Sequence, residues 1–127
     1  CEAAEDFINE QLFQTISYYD YAENFYHGFM AGLLVNIGGY RVKSNRESGN
    51  GRPDIVMQTV QVRKGRVIIL ELKIAGSIAE MEAACDRGLA QIEAQHYAEP
   101  FITEGYPEVK KYALSFCKKE CMVKEAE

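Results

Sequence analysis

Two strand-like segments and the turn between them decide how this sequence folds: residues 52–73 read RPDIVMQTVQVRKGRVIILELK. The segment from Asp54 to Val62 is rich in β-branched residues, and Lys64-Gly65 supplies turn chemistry. The run from Val67 to Leu70 is continuously apolar, as in a central strand buried on both faces. The pattern predicts a hairpin in which Asp54 opens the first strand and Glu71 closes the second.

An antiparallel hairpin would bring two acids together that are separated by sixteen intervening residues. Adjacent carboxylates such as Asp54 and Glu71 repel each other unless a hard divalent cation lies between them. Lys73 shares a strand face with Glu71, while Leu72 points to the opposite face. A lysine beside such a cation can orient or deprotonate an attacking water, so the pattern predicts metal-dependent phosphodiester hydrolysis. Taken singly, Asp54 is also typical of an ordinary turn, and Glu71 with Lys73 of an exposed ion pair.

Two helical residues extend this candidate site. Glu23 lies on a predicted helix from Tyr21 to about Ile37, and could reach the metal directly or through water. Gln91 lies on a second long helix and could offer its amide to the substrate or to a water. His27, one turn after Glu23, is interpreted as a hydrogen-bonded packing residue and is left out of the ligand set.

The remaining pattern completes one α/β layer with a mixed central sheet flanked by helices. Ser77 and Glu80 have the form of a capping box at the start of the second long helix, although Glu80 is equally suited to the helix dipole. The other predicted elements are a lead-in helix within residues 1–20, a strand at 40–44, a helix ending near Tyr97, a loop around Pro100, Gly105 and Pro107, a strand at 110–117 and a weaker strand at 121–124.

Length and composition narrow the class of protein. The 127 residues suit one domain, and the longest strongly apolar stretch, Phe29 to Ile37, is far short of the roughly 20 residues that span a membrane. The net charge of −5 conceals a segment, Arg41 to Arg66, that carries +5. Such a segment would attract an anionic partner, but its charges are equally typical of solvated strand edges and turns. Four cysteines without a Cys-x-x-Cys pair are interpreted as reduced thiols, which predicts a cytoplasmic protein.

These motifs resemble the PD-(D/E)XK nuclease superfamily, with Pro53-Asp54, a hairpin and then Glu71-Leu72-Lys73. The stretches 23–29 and 44–54, and Gln91-Ile92 with Tyr97, are similar to a bacterial family of uncharacterised proteins. That family joins an ATPase-like P-loop domain to a carboxy-terminal nuclease-like domain. The resemblance covers about residues 19–117 and implies a restriction-endonuclease-like core of helix, three strands, helix and strand. It also implies that the chain is the carboxy-terminal part of a longer protein, with an amino-terminal ATPase-like domain as its partner.

Carried over residue by residue, the resemblance implies Asp54, Glu71 and the main-chain carbonyl of Leu72 as ligands of Mg²⁺ or Mn²⁺. It implies Lys73 as the water-activating residue and matches Glu23 to a helix acid found in many members. Gln91 and Tyr97 are similar to a glutamine and tyrosine of the RecB-like branch, in which the spacing is Gln-x-x-x-Tyr. Here Gln95 occupies the tyrosine's place, and Tyr97 follows two residues later.

The leading prediction is therefore a nuclease-type domain that hydrolyses DNA or RNA, with DNA favoured. Arg46 and Arg52 are candidate phosphate clamps, although Arg46 is equally suited to pair with a nearby acid and fix the loop. Tyr97 is a candidate substrate contact. A second hypothesis is a catalytically silent module that binds nucleic acid or a protein beside the ATPase-like domain. A third is a homodimerisation domain that uses its aromatic helix.

Overall fold

A computed structural model describes residues 2–15, 23–45 and 52–126. In chain order, two helices precede three strands, and a 3₁₀ turn at Ile78–Glu80 leads into two more helices and two final strands. The helices are α1 (Glu2–Thr15), α2 (Glu23–Leu34), α3 (Met81–Ala94) and α4 (Glu99–Glu104). The strands are β1 (Tyr40–Ser44), β2 (Ile55–Thr59), β3 (Arg66–Ile74), β4 (Glu108–Cys117) and β5 (Glu120–Glu125).

The five strands form one mixed sheet in the order β1-β2-β3-β4-β5. Strands β1, β2 and β3 pair antiparallel, β3 and β4 pair parallel, and β5 returns antiparallel to β4. A parallel pair needs a crossover connection, and here the crossover contains α3 and α4. This arrangement confirms the predicted mixed α/β class and is consistent with a restriction-endonuclease-like fold.

Alternation along β3 divides the core into two layers. Leu70 and Leu72 pack with residues of α1 and α2, whereas Val67 and Ile69 pack with Ile92 of α3 on the other face. All four side chains are buried, as expected for a strand covered on both sides. Glu71 and Lys73, by the same alternation, lie on the α3 face of the sheet.

Several predicted boundaries shift in the structure. Strand β3 continues past Leu70 to Ile74, so Glu71 lies within the strand and does not close it. Helix α3 ends at Ala94, before Tyr97, and the side chain of Ser77 forms no capping hydrogen bond. Strand β2 ends at Thr59, and α2 at Leu34.

The segment predicted as a loop after α3 contains the short helix α4, so that prediction was wrong. Pro100 occupies the first turn of α4, where its missing N–H has no helical partner to lose. Gly105 ends α4 with φ of 113°, a conformation that favours glycine. Proline and glycine therefore mark the two ends of a helix here.

Helix α1 lies against β5 through a reciprocal pair of hydrogen bonds. Asn9 donates through Nδ2 to the carbonyl of Cys121 and accepts from its N–H through Oδ1.

Over the three described ranges, no helix is long and apolar enough to cross a membrane.

Candidate active site

The register of the β2–β3 hairpin brings Asp54 and Glu71 together. Ile55 pairs with Leu70, so Asp54 stands opposite Glu71 at the entry to β2. The backbone N–H of Asp54 donates to Oε1 of Glu71 at 3.0 Å, and the N–H of Leu72 donates to Oδ2 of Asp54 at 2.8 Å. Each carboxylate is therefore held through one oxygen by the backbone of the other strand.

The second oxygen of each carboxylate is buried without a hydrogen bond. Asp54 is 1% exposed and Glu71 is fully buried, yet Oδ1 of Asp54 and Oε2 of Glu71 accept no hydrogen bond from the described ranges. Burial and the neighbouring charge of Asp54 raise the pKa of Glu71 from 4.5 to about 8. A buried acceptor without a hydrogen bond lowers the stability of the folded state. A bound cation would compensate the two oxygens for the hydrogen bonds that they lack.

His27 of α2 approaches the same carboxylate. It is buried, and its Nε2 atom lies 3.4 Å from Oδ1 of Asp54. The sequence predicts His27 as a packing residue outside the ligand set, but its side chain contacts Asp54. Its position four residues after Glu23 could have indicated this contact, because residues at that spacing share a helix face.

For the other two proposed metal ligands, Glu23 and the carbonyl of Leu72, the structure gives the position in the chain. Glu23 is the first residue of α2, one turn before His27. The side chain of Leu72 packs in the core on the opposite face, and its N–H is taken by Asp54. Among the side chains that the structure describes, which do not include that of Glu23, no three from His, Cys, Asp or Glu are grouped as a metal site. The roles of Glu23 and of the Leu72 carbonyl stay predictions.

Lys73 is held by a chain of side-chain hydrogen bonds that reaches α3. Its Nζ donates to Oε1 of Gln91, and Nε2 of Gln91 donates to the hydroxyl of Tyr97 at 3.3 Å. Tyr97 is 3% exposed, and burial raises the pKa of its hydroxyl. Gln91 and Tyr97 therefore position the lysine ammonium, whereas a direct contact of Tyr97 with substrate stays a prediction.

The end of α3 explains how Tyr97 reaches Gln91 from an unusual spacing. The N–H of Tyr97 bonds the carbonyl of Ile92, and the N–H of His96 bonds that of Glu93. His96 has φ of 54°, so the two bonds and this left-handed residue form a Schellman motif. The turn brings the chain back along the helix, which places a tyrosine six residues after Gln91 against its amide.

Gly88 allows α3 to pack closely over the site. A Cβ atom at this position would lie 2.8 Å from Cβ of Ala113, 3.5 Å from Cβ of Glu71 and 3.6 Å from Cγ of Lys73. Because real Cβ atoms do not approach that closely, a larger residue would force the helix away from β3 and β4. The close packing is what brings Gln91 within reach of Lys73.

The two arginines proposed as phosphate clamps differ in what the structure describes. Arg52 is exposed two residues before Asp54. Arg46 lies outside the described residues. Phosphate binding by either residue stays a prediction.

The chain belongs to the PD-(D/E)XK nuclease superfamily, because a model of this family matches residues 21–126. The matched range includes Glu23, Asp54, Glu71, Lys73 and Gln91. Comparisons with curated proteins and with solved structures found no match. Members of the superfamily are generally nucleases and typically use Mg²⁺ or Mn²⁺.

Proposed function

We propose that this domain is a Mg²⁺- or Mn²⁺-dependent nuclease that hydrolyses phosphodiester bonds of DNA or RNA, with DNA favoured. One observation carries the proposal: two adjacent, buried carboxylates each leave one oxygen without a donor in the described ranges, on the sheet face that also carries Lys73. Family membership supports a nuclease-type domain.

The chemistry of the donor set fits a hard divalent cation. Asp54 would hold it through Oδ1, which also lies 3.4 Å from Nε2 of His27, and Glu71 through Oε2. Glu23 and the Leu72 carbonyl are further proposed ligands. When bound, the cation would polarise the phosphate and lower the pKa of a coordinated water. Glu71 must be ionised to bind, so its raised pKa makes binding stronger at high pH.

Lys73 is the cationic side chain that lies on the same sheet face as the two carboxylates. Gln91 accepts one of its hydrogen bonds, which fixes the ammonium on the carboxylate face of the sheet and leaves further N–H donors for the substrate. We propose that Lys73 orients the attacking water and stabilises the charge that develops on the phosphate. Arg52 and Arg46 are proposed to hold flanking phosphates by bidentate hydrogen bonds.

A silent binding module is the second candidate function. The near-complete burial of Asp54 and Glu71 favours it, because a buried pair is less accessible to a large substrate. Lys73 and Gln91 are only partly buried, so this part of the site reaches the surface. An amino-terminal ATPase-like domain in the same protein, and homodimerisation, stay predictions under either function.

The experiment is a cleavage assay on labelled single-stranded and duplex DNA and RNA, with Mg²⁺, Mn²⁺ or EDTA. We expect metal-dependent products from the wild type, and a loss of roughly 10²–10³-fold or more in Lys73→Gln and Asp54→Asn, because each removes a charge from the reacting region. Circular dichroism should show that both variants remain folded.

Lys111→Gln is the matched control. Lys111 lies on the neighbouring strand β4 and contacts Glu93, so its loss should leave cleavage within about twofold. Metal-dependent cleavage that persists in both Lys73→Gln and Asp54→Asn would refute the proposed site. Binding without turnover on every substrate and metal would favour the silent module.

A further inference from the structure

Cationic side chains on the strands fall into two groups by what they contact. On β3, β4 and β5, every lysine or arginine has a polar side-chain partner: Arg66 with Glu108, Lys73 with Gln91, Lys110 with Glu108 and Glu125, Lys111 with Glu93, and Lys124 with Glu82 and Asp86. The two on β1, Arg41 and Lys43, are exposed and form no ion pair within the described part of the chain. Apart from Lys73, whose partner is a neutral amide, the cations of β3, β4 and β5 are balanced by carboxylates, whereas those of β1 are not balanced by any described residue.

The pairing register places both β1 cations on the face of the sheet that carries the candidate site. Arg41 pairs with Gln58 and Lys43 with Val56, and paired residues project to the same face. Val56 packs in the cluster on the α3 face. Tyr40 and Val42 alternate to the other face, where Val42 packs against the core beneath α2. The exposed cations thus lie on the same face of the sheet as the buried pair Asp54 and Glu71.

The distances suit a strand of nucleic acid that runs along this edge. The N–H of Asn45 donates to the carbonyl of Asp54, so Asn45 and Asp54 stand side by side. Lys43, two residues before Asn45, is therefore the diagonal neighbour of Asp54, at a Cα separation of about 7–8 Å. Arg41 follows two residues further along β1, about 6.6–6.8 Å away. That spacing is comparable to the separation of successive phosphates in one strand. Both side chains are long enough to follow the backbone of a substrate that enters the site.

We propose that Arg41 and Lys43 form a phosphate-binding track on β1 that guides nucleic acid to the carboxylate pair. The track rests on the proposed function, since it gives the same site its hold on substrate. Charge complementarity selects the occupant. Two exposed cations on one edge strand, with no acidic partner among the residues that the structure describes, fit a polyanion. The competing role is protection of an edge strand against pairing with another sheet, and the test separates the two.

The test measures binding of a labelled oligonucleotide by the full 127-residue chain, in EDTA so that no cleavage occurs. Each phosphate contact contributes about 0.7 (single strand) to 0.9 (duplex) to the slope of log affinity against log salt. The Arg41→Gln/Lys43→Gln variant should therefore lose about 1.4–1.8 from that slope, and about 25- to 60-fold in affinity at 0.1 M salt.

Lys110→Gln/Lys124→Gln is the matched control, because it removes the same charge from two ion-paired strand lysines and should keep the wild-type slope. Equal slopes in the two variants, or no salt-dependent binding by the wild type, would overturn the track. A wild type that binds with the expected slope and cleaves nothing would reject hydrolysis but keep the track. A wild type that cleaves while Arg41→Gln/Lys43→Gln keeps its slope would reject the track and keep hydrolysis.

Discussion

Two buried polar groups lie on the same sheet face beneath α3, and they are satisfied in opposite ways. Ser115, fully buried on β4, donates to the carbonyl of Met81 at 2.8 Å, and the thiol of Cys85 contacts its Oγ at 3.3 Å. Asp54 and Glu71 are equally buried, yet each keeps one oxygen without a donor from the described ranges. Ser115 is the direct neighbour of Lys73 in the register, so the two environments are adjacent.

The difference separates a structural polar group from a functional one. A buried group that serves the fold gains by being fully bonded, and Ser115 links α3 to β4 in that way. A buried pair of acids whose outer oxygens accept no hydrogen bond lowers stability unless something else binds there. We therefore interpret the carboxylate pair as a binding site, in which a bound ligand stabilises the folded protein.

The largest expected effect is on how stability depends on pH. Because the pKa of Glu71 is raised from 4.5 to about 8, the folded state holds its proton more tightly than the unfolded state. Its contribution to stability is fully present below pH 4.5 and is lost as the pH rises through 8. Without metal, wild type should lose about 3–5 kcal/mol of unfolding free energy over this range relative to Glu71→Gln, measured by urea denaturation.

Ser115→Ala and added Mg²⁺ are the controls for that measurement. Ser115→Ala should lower the unfolding free energy by about 1–2 kcal/mol at every pH, because it removes a neutral hydrogen bond. Mg²⁺ should restore stability to the wild type above pH 8 and have little effect on Glu71→Gln. If wild type and Glu71→Gln share one pH dependence, ionisation of Glu71 beside Asp54 does not destabilise the folded state.

A smaller effect is expected where α3 covers both environments. Gly88→Ala should lower the unfolding free energy by about 1–3 kcal/mol, because its Cβ would lie 2.8 Å from Ala113. It should also reduce cleavage, since α3 carries Gln91 away from Lys73. Thermal melting and the cleavage assay measure the two effects.

Gly28→Ala is the matched control for that helix substitution. Gly28 lies inside α2, and none of the residues that the structure describes stands within 4 Å of a Cβ built there. Alanine should therefore be neutral or stabilise by about 0.5–1 kcal/mol. Equal losses in Gly88→Ala and Gly28→Ala would show that close packing of α3 does not shape the site.

The fold class and the central hairpin were predictable because their signals are local. The apolar run at 67–70 and the turn at Lys64-Gly65 fix a hairpin, and a two-residue period then places Asp54, Glu71 and Lys73 on one face. The convergence of acids separated by sixteen residues follows from that register alone.

Other features depended on tertiary packing that the chain pattern does not encode. Helix α4 was missed because Pro100 and Gly105 are typical of loops as well as of helix ends. His27 was set aside because only the packing of α2 on the sheet brings it to Asp54. The contact of Tyr97 with Gln91 needed the Schellman turn, whose left-handed residue is His96 where glycine is usual.

The most direct measurement of the central claim is a crystal soaked with Mn²⁺ at pH above 8, with anomalous diffraction recorded. We expect a peak about 2.0–2.2 Å from both Oδ1 of Asp54 and Oε2 of Glu71, the two oxygens without donors in the described ranges. Anomalous peaks elsewhere only, with the two carboxylates bonded as they are without metal, would contradict the account.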